Sequence, residues 1–214
     1  MSAPSLLTRS ARHAALLFLL MWVCCGCGAS RPVKYYALDT DPPPAASSGA
    51  QFPVTILVAR VASSHLYRDD RLVYESDPVQ LGTYEYQRWA ASPVDMVQEL
   101  LISSLQSTGQ YRSVSAIGSN ARGDYILRAH LNSLNEVDKP QLAAHFSIDL
   151  ELYDPRAGAT VWAGSYSHDE PVTGKKVSDV VEALDKNVRA GMQQLARSLG
   201  QYFATHPPQP SAVR

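Results

Sequence analysis

DYILRAHLNSL, Asp124–Leu134, places Tyr125, Leu127, Ala129 and Leu131 on one parity and Arg128, His130 and Asn132 on the other. A period of two marks an extended strand with one apolar face and one wet face. HFSIDLELY, His145–Tyr153, repeats the pattern, with Phe146, Ile148, Leu150 and Leu152 set against Ser147, Asp149 and Glu151. TVWAGSYS, Thr160–Ser167, carries Trp162 and Tyr166 on one side, and Asp154-Pro155-Arg156-Ala157-Gly158 is a turn between the last two strands. Three successive strands of this kind predict an antiparallel meander that buries one face.

That face needs a cover, and the chain supplies two amphipathic helices. Downstream, Val181, Leu184, Val188, Met192, Leu195, Leu199 and Tyr202 form an apolar stripe at helical spacing. Ser178 is the expected cap of this helix, with Asp179 and Glu182 in its first turns. Upstream, Val94, Val97, Leu101 and Leu105 keep the same spacing, behind Ser92 as cap and Pro93 as first helical residue, and Gly109 closes the segment.

Between the N-terminus and this first helix lie further strands. Val33–Leu38 is short and aromatic. Phe52–Ala62 is largely apolar on both parities (Val54, Ile56, Val58 and Arg60 against Thr55, Leu57, Ala59 and Val61), as expected of a buried central strand. Arg68-Asp69-Asp70-Arg71 is turn-like, Leu72-Val73-Tyr74 follows, and Leu81–Arg88 alternates Tyr84, Tyr86 and Arg88 with Thr83, Glu85 and Gln87. This predicts a strand pair with aromatic rungs on one face. Tyr111–Ala116 is another short strand. The expected fold class is α+β: an antiparallel-rich sheet with two helices packed on one face.

The first residues tell a different story. Arg9, Arg12 and His13 precede Ala14–Val23, an apolar run of ten residues. A bilayer span needs about 20 residues, so this run is too short to cross. A basic start, a short apolar middle and small residues after it describe a secretory signal. A buried core helix of that composition would still be expected to show a polar face. All three cysteines of the chain, Cys24, Cys25 and Cys27, follow immediately. They crowd each other and have no downstream partner, so they form neither a structural disulfide nor a spaced zinc site.

Gly26-Cys27 resembles the end of a bacterial lipoprotein signal, where a small residue precedes the cysteine that receives diacylglycerol. Cys24 stands where that pattern usually has Leu, and Cys25 is the second candidate. Lipidation at Cys27 would start the mature chain there and hold it by acyl groups, palmitate among them. Each buried CH₂ contributes roughly 0.8 kcal/mol, so two or three chains make a persistent anchor where one is marginal. Gly28 and Ala29 follow, with no Asp, and by resemblance to lipoprotein sorting patterns this favours the outer membrane. The resulting division is 1–26 signal peptide, 27–50 lipidated N-terminus with a short strand and a Pro/Ser/Ala loop, 51–204 α+β domain, and 205–214 disordered tail.

Arg9 and Arg12 leave with the leader, so the 19 basic residues become 17 against 20 acidic ones, a formal charge of −3. That balance gives no electrostatic footprint for nucleic acid. Catalytic signals are absent: there is no P-loop, GxSxG elbow, HExxH or GxGxxG. His65, His130, His145 and His168 fall on separate segments, and Glu85 and Glu151 stand alone on polar parities, so neither a metal site nor a cofactor site is expected. The unusual stretch is YEYQRW, Tyr84–Trp89. Tyr, Trp and Arg are enriched at binding hot spots, which nominates Tyr84, Tyr86, Arg88 and Trp89 for partner contact. Trp89 also suits a core position where the strand meets the first helix.

Several motifs occur in an order that resembles one family. They are the cysteine after the leader, Tyr35-Tyr36 with Leu38-Asp39, Tyr67-Arg68, Arg71-Leu72-Val73-Tyr74, and Tyr84–Ala90 leading into Pro93. The chain resembles the ABC-type transport auxiliary lipoproteins. That resemblance implies a non-catalytic component of an MCE-type system. Such systems pair an inner-membrane ABC transporter with a periplasmic MCE-domain protein and move phospholipid or other hydrophobic molecules between membranes. The implied partners are that MCE-domain protein, its transporter, the membrane through the anchor, and, as in some members, further copies of the chain. A lipid-binding carrier domain and a structural outer-membrane assembly lipoprotein are the alternatives that the residues leave open.

Overall fold

A computed structural model describes residues 31–39, 52–77, 79–118 and 122–208. The leader, Cys24, Cys25 and Cys27, the Asp41–Gly49 loop and the tail from 209 onward lie outside the described residues. The chain divides into two compact units, 1–32 and 33–214, and the second contains the elements below.

The strand opened by the alternating segment, Tyr125–Val137, organises the sheet, and it is the seventh in chain order. On one edge it pairs antiparallel with β8 (Ala143–Asp154), which pairs antiparallel with β9 (Ala159–Pro171). This is the meander expected from the sequence, and its buried parity is the predicted one: Leu127, Leu131, Phe146, Ile148, Leu150 and Leu152 are each at most 2% exposed. On its other edge the same strand, β7, meets three segments in succession. These are β2 (Phe52–Val58), β3 (Ala62–Ser63) and β4 (Arg71–Asp77), and all three pairings are parallel. β2 also pairs in parallel with β6 (Tyr111–Ala116). β5 (Gln80–Trp89) pairs antiparallel with β4, and β1 (Lys34–Tyr36) runs parallel along the far edge of β5.

The α+β reading therefore stands, with nine strands in one sheet and two α-helices among the described residues, but the antiparallel-rich description needs correction. Five strand pairings are parallel and three antiparallel. The reason is topological. The long excursions from β2 and β4 through the first helix return the chain to β6 and β7 in the same direction, which is what parallel pairing requires. The doubly apolar β2 already carried the mark of a strand with parallel neighbours. It is shorter than expected because the strand breaks near Val61, whose amide donates to Gln98 Oε1 at 3.2 Å instead of to a neighbouring strand.

Helix α1 (Pro93–Ser107) begins at Ser92, whose Oγ accepts from the Asp95 amide, and ends before Gly109 at φ 62°. Helix α2 (Val177–Thr205) begins two residues earlier than expected. Its cap is Lys176, and Asp179 reaches back so that its Oδ2 accepts from the Lys176 amide at 3.0 Å. Ser178 lies inside the helix. The predicted stripe is buried from Val181 to Leu199, but at its end Phe203 (0% exposed) takes the core position and Tyr202 is half-buried. Phe203 packs among Phe52, Tyr111, Tyr125 and Tyr202, at ring separations of 5.3 to 5.7 Å.

α2 lies across β8 and β9, and α1 packs on β6 and on α2. The approach of α2 is close: a Cβ on Gly191 would sit 2.7 Å from the Tyr166 ring and 3.0 Å from that of Phe146. Among the described residues no helix is long and apolar enough to cross a membrane.

Candidate partner-binding site

β4 and β5 form a hairpin in which aromatic side chains lock the two strands. The Tyr74 ring lies over Gly82, where a Cβ would come within 2.4 Å of it, so any side chain at this position would have to displace the ring. Tyr74 then meets Tyr84 edge-on, with ring centroids 5.1 Å apart. The Tyr84 hydroxyl reaches past β4 and donates to Glu136 Oε2 on β7 at 3.0 Å. Tyr84 thus pins the hairpin to the main sheet, and its half-buried ring packs against the core.

Arg88 and Trp89 sit beyond an irregularity in the β4–β5 register, between Thr83 and Arg88. Arg88 Nη1 donates to Asp70 Oδ1 at 2.6 Å, and the Trp89 amide donates to the Asp70 carbonyl at 2.6 Å. Asp70, in the turn before β4, therefore fixes both residues. Tyr86 is half-buried on the same strand. Trp89 is 1% exposed. In the free domain it is a core residue that supports the strand, as the half-buried Tyr84 does through Glu136, which leaves Tyr86 and Arg88 as the partly exposed nominated residues of this stretch.

Tyr35 is not among the residues nominated from sequence. It lies on β1 opposite Arg88 and is 65% exposed, and Val33 beside it is 41% exposed. Its signal was the Tyr35-Tyr36 pair, which alternation splits between an outward and an inward ring. Tyr36 is half-buried and its hydroxyl donates to Gln87 Oε1 at 2.8 Å. The structure thus gathers Tyr35, Tyr86 and Arg88 on the β1–β5 edge and assigns Tyr84 and Trp89 to its support.

Glu136 is 7% exposed. Burial pushes its carboxyl above the usual carboxylate range; the Tyr84 hydrogen bond opposes this, and a hydrogen bond and charge from Asp138 add to it. Burial, then the charge of Glu136, push the Tyr84 phenol up. A carboxyl raised in the folded state binds its proton more tightly there than in the unfolded chain. Its ionisation therefore erodes stability as pH rises from the ordinary carboxylate value through the raised one. Glu136→Gln keeps an acceptor for Tyr84 but cannot ionise. Its stability relative to the parent should rise as pH climbs above the ordinary carboxylate range, as measured by urea unfolding; a pH-independent difference would count against this account.

A second feature lies at the opposite end of the sheet. An open cavity of about 360 Å³ is lined by Phe52, Pro53, Tyr111 and Arg112. The buried Tyr111 hydroxyl finds no hydrogen-bond partner among the described residues, and burial raises its pKa. Among the described residues no three His, Cys, Asp or Glu side chains come together to hold a metal ion.

The fold is similar to solved structures of other proteins. A crystal structure of a Xanthomonas campestris protein of the family DUF330 shares 18% identity at a TM-score of 0.74, over 81% of this chain and 98% of that one. A crystal structure of an uncharacterized protein shares 15% identity at a TM-score of 0.63, over 79% and 99%. No curated protein matches the chain in sequence. The model of the ABC-type transport auxiliary lipoprotein component matches residues 36–199, from the end of β1 deep into α2 and across the whole hairpin just described, and the chain belongs to this family.

Proposed function

We propose that this lipoprotein is held by acyl groups on Cys27, in the outer membrane and facing the periplasm, and docks the periplasmic MCE-domain partner of an ABC transporter that moves phospholipid or another hydrophobic molecule between the two membranes. It acts without catalysis of its own. The observation that carries this reading is the family match over residues 36–199. The leader with its terminal cysteines supports the anchor, and the β1–β5 edge supports the docking surface. Tyr35, Tyr86 and Arg88 offer aromatic and guanidinium groups of the kind that dominate binding energy, on a strand fixed by Tyr84, Glu136, Asp70 and Trp89. Tethering raises the effective concentration of the partner without any new contact.

Two measurements test the two halves. Cys27→Ser should release the protein from envelope membranes; a variant still embedded would remove the anchor. Tyr86→Ala with Arg88→Ala should cut recovery of the MCE-domain partner in a pull-down at least tenfold, equivalent to about 1.4 kcal/mol or more, with the unfolding midpoint preserved. Undiminished recovery would remove this surface.

The carrier reading finds one supporting observation, the aromatic-walled cavity at Phe52 and Tyr111, whose volume falls at the lower end of those of ligand sites. Native mass spectrometry of gently extracted protein separates the two: a bound lipid favours a carrier, an empty domain favours docking alone.

A further inference from the structure

β4 runs parallel to β7, with Glu75 opposite Val137, and β8 and β9 close the same level with Ala143 opposite Pro171. The β4–β5 turn, the β7–β8 turn and the β9–α2 connection therefore share one end of the sheet. The Asp138 amide, in the second of these, donates to the Glu75 carbonyl at 3.0 Å. This end carries Val79, which is 93% exposed, and Leu81, 46% exposed. Exposed Lys139, Lys175 and Lys176 stand on the two connections beside them, against exposed Asp77 and Asp138.

β1 enters the sheet from the same side. It is parallel to β5, with Lys34 opposite Gln87, so the chain comes to Lys34 from the direction of the β4–β5 turn. Seven residues separate Lys34 from Cys27, a reach of about 25 Å at full extension. From Gln87 back to Gln80 is also seven residues, about 23 Å of strand. A bilayer anchored at Cys27 is thus within reach of the turn end, from whose side the chain enters β1, while the Asp154–Gly158 turn lies at the other end of β7, about 40 Å from the turn end.

We infer that this end of the domain is a membrane-contact surface: Val79 and Leu81 enter the headgroup boundary of the bilayer while Lys139, Lys175 and Lys176 lie among anionic lipid headgroups. The inference rests on the Cys27 anchor. Two apolar side chains and three lysines would bind a bilayer only weakly by themselves. With the anchor already paid for by acyl chains, such contacts are sufficient to set orientation. They would stand the β-sheet upright and hold Tyr86, Arg88 and Tyr35 roughly 20 Å above the lipid surface, presented to a periplasmic partner.

The test uses the mature acylated protein in vesicles of phosphatidylethanolamine and phosphatidylglycerol, with Val79→Cys or Ala157→Cys carrying an environment-sensitive fluorophore. Flotation reports the anchor and quenching by spin-labelled lipid reports depth. The expected result is flotation of both, with quenching at position 79 at least threefold that at position 157, reduced when Lys139, Lys175 and Lys176 are all changed to Gln. Flotation with equal quenching at the two positions overturns the membrane-contact surface and leaves the anchor intact. Loss of flotation overturns the anchor and this inference with it. Both labelled positions are exposed, so folding is not at stake in either variant.

Discussion

Asn187→Ala is expected to destabilise the domain by about 3–4 kcal/mol, among the largest effects of any single polar substitution in it. Asn187 is 0% exposed, in the middle of α2. Its Nδ2 donates to the Ala144 carbonyl at 2.8 Å and to the His168 carbonyl at 2.7 Å, one on β8 and one on β9. Its Oδ1 accepts from the Tyr166 hydroxyl at 2.8 Å. One amide thus ties the helix to two strands and satisfies a phenol that would otherwise be buried alone. Truncation leaves three groups without this partner, and each unsatisfied buried group costs about 1–3 kcal/mol.

The three costs are coupled, and the coupling is measurable. Tyr166→Phe removes the phenol that Asn187 serves, so the double variant should be less destabilised than the sum of the singles. Asn187→Asp is a sharper control. An ionised carboxylate accepts from Tyr166 but cannot donate to either carbonyl, so this variant should be poor at neutral pH and recover as pH falls and the carboxyl takes a proton. Urea unfolding across pH checks both. A loss below about 1 kcal/mol for Asn187→Ala, the net worth of one ordinary hydrogen bond, would show that helix and strands are held by apolar packing alone.

Asn187 also marks where the sequence stops being legible. The alternation of β7, β8 and β9 is visible residue by residue because one face is core and the other water. The stripe from Val181 to Leu199 is visible because a single helix face meets that core. Asn187 lies three residues after Leu184 on the buried side of the helix, yet a polar residue beside an apolar stripe looks the same whether it faces solvent or ties two carbonyls; only the register of β8 against β9 brings Ala144 and His168 under it. The parallel pairing of β4 with β7 was hidden for a similar reason, and the doubly apolar β2 showed that it had neighbours on both sides without naming them. Alternation says which side of a strand is buried, not which strand lies beside it. The candidate site was legible in its residue types and not in their roles. Tyr84, Tyr86, Arg88 and Trp89 are close in sequence, but Glu136 on β7 and Asp70 in the turn before β4, which hold Tyr84, Arg88 and Trp89 in place, come from elsewhere in the chain.

Trp89→Ala should cost about 3–5 kcal/mol and abolish partner binding only by unfolding the edge of the domain. The side chain is 1% exposed, and its backbone joins β5 to the Asp70 turn three residues before the cap of α1. Removing it opens a large cavity under the strand that carries Tyr86 and Arg88. The indole Nε1 is buried and finds no acceptor among the described residues. Trp89→Phe therefore forfeits no hydrogen bond and removes an unsatisfied donor, and since it leaves a much smaller cavity it should cost clearly less than Trp89→Ala. The pair separates support from contact. If Trp89 only supports the strand, Trp89→Phe retains full recovery of the proposed MCE-domain partner, whereas Tyr86→Ala with Arg88→Ala loses it while the unfolding midpoint stays put. A stable Trp89→Phe protein that no longer binds would mean that the indole leaves the core on docking, and that the β1–β5 edge rearranges to receive its partner.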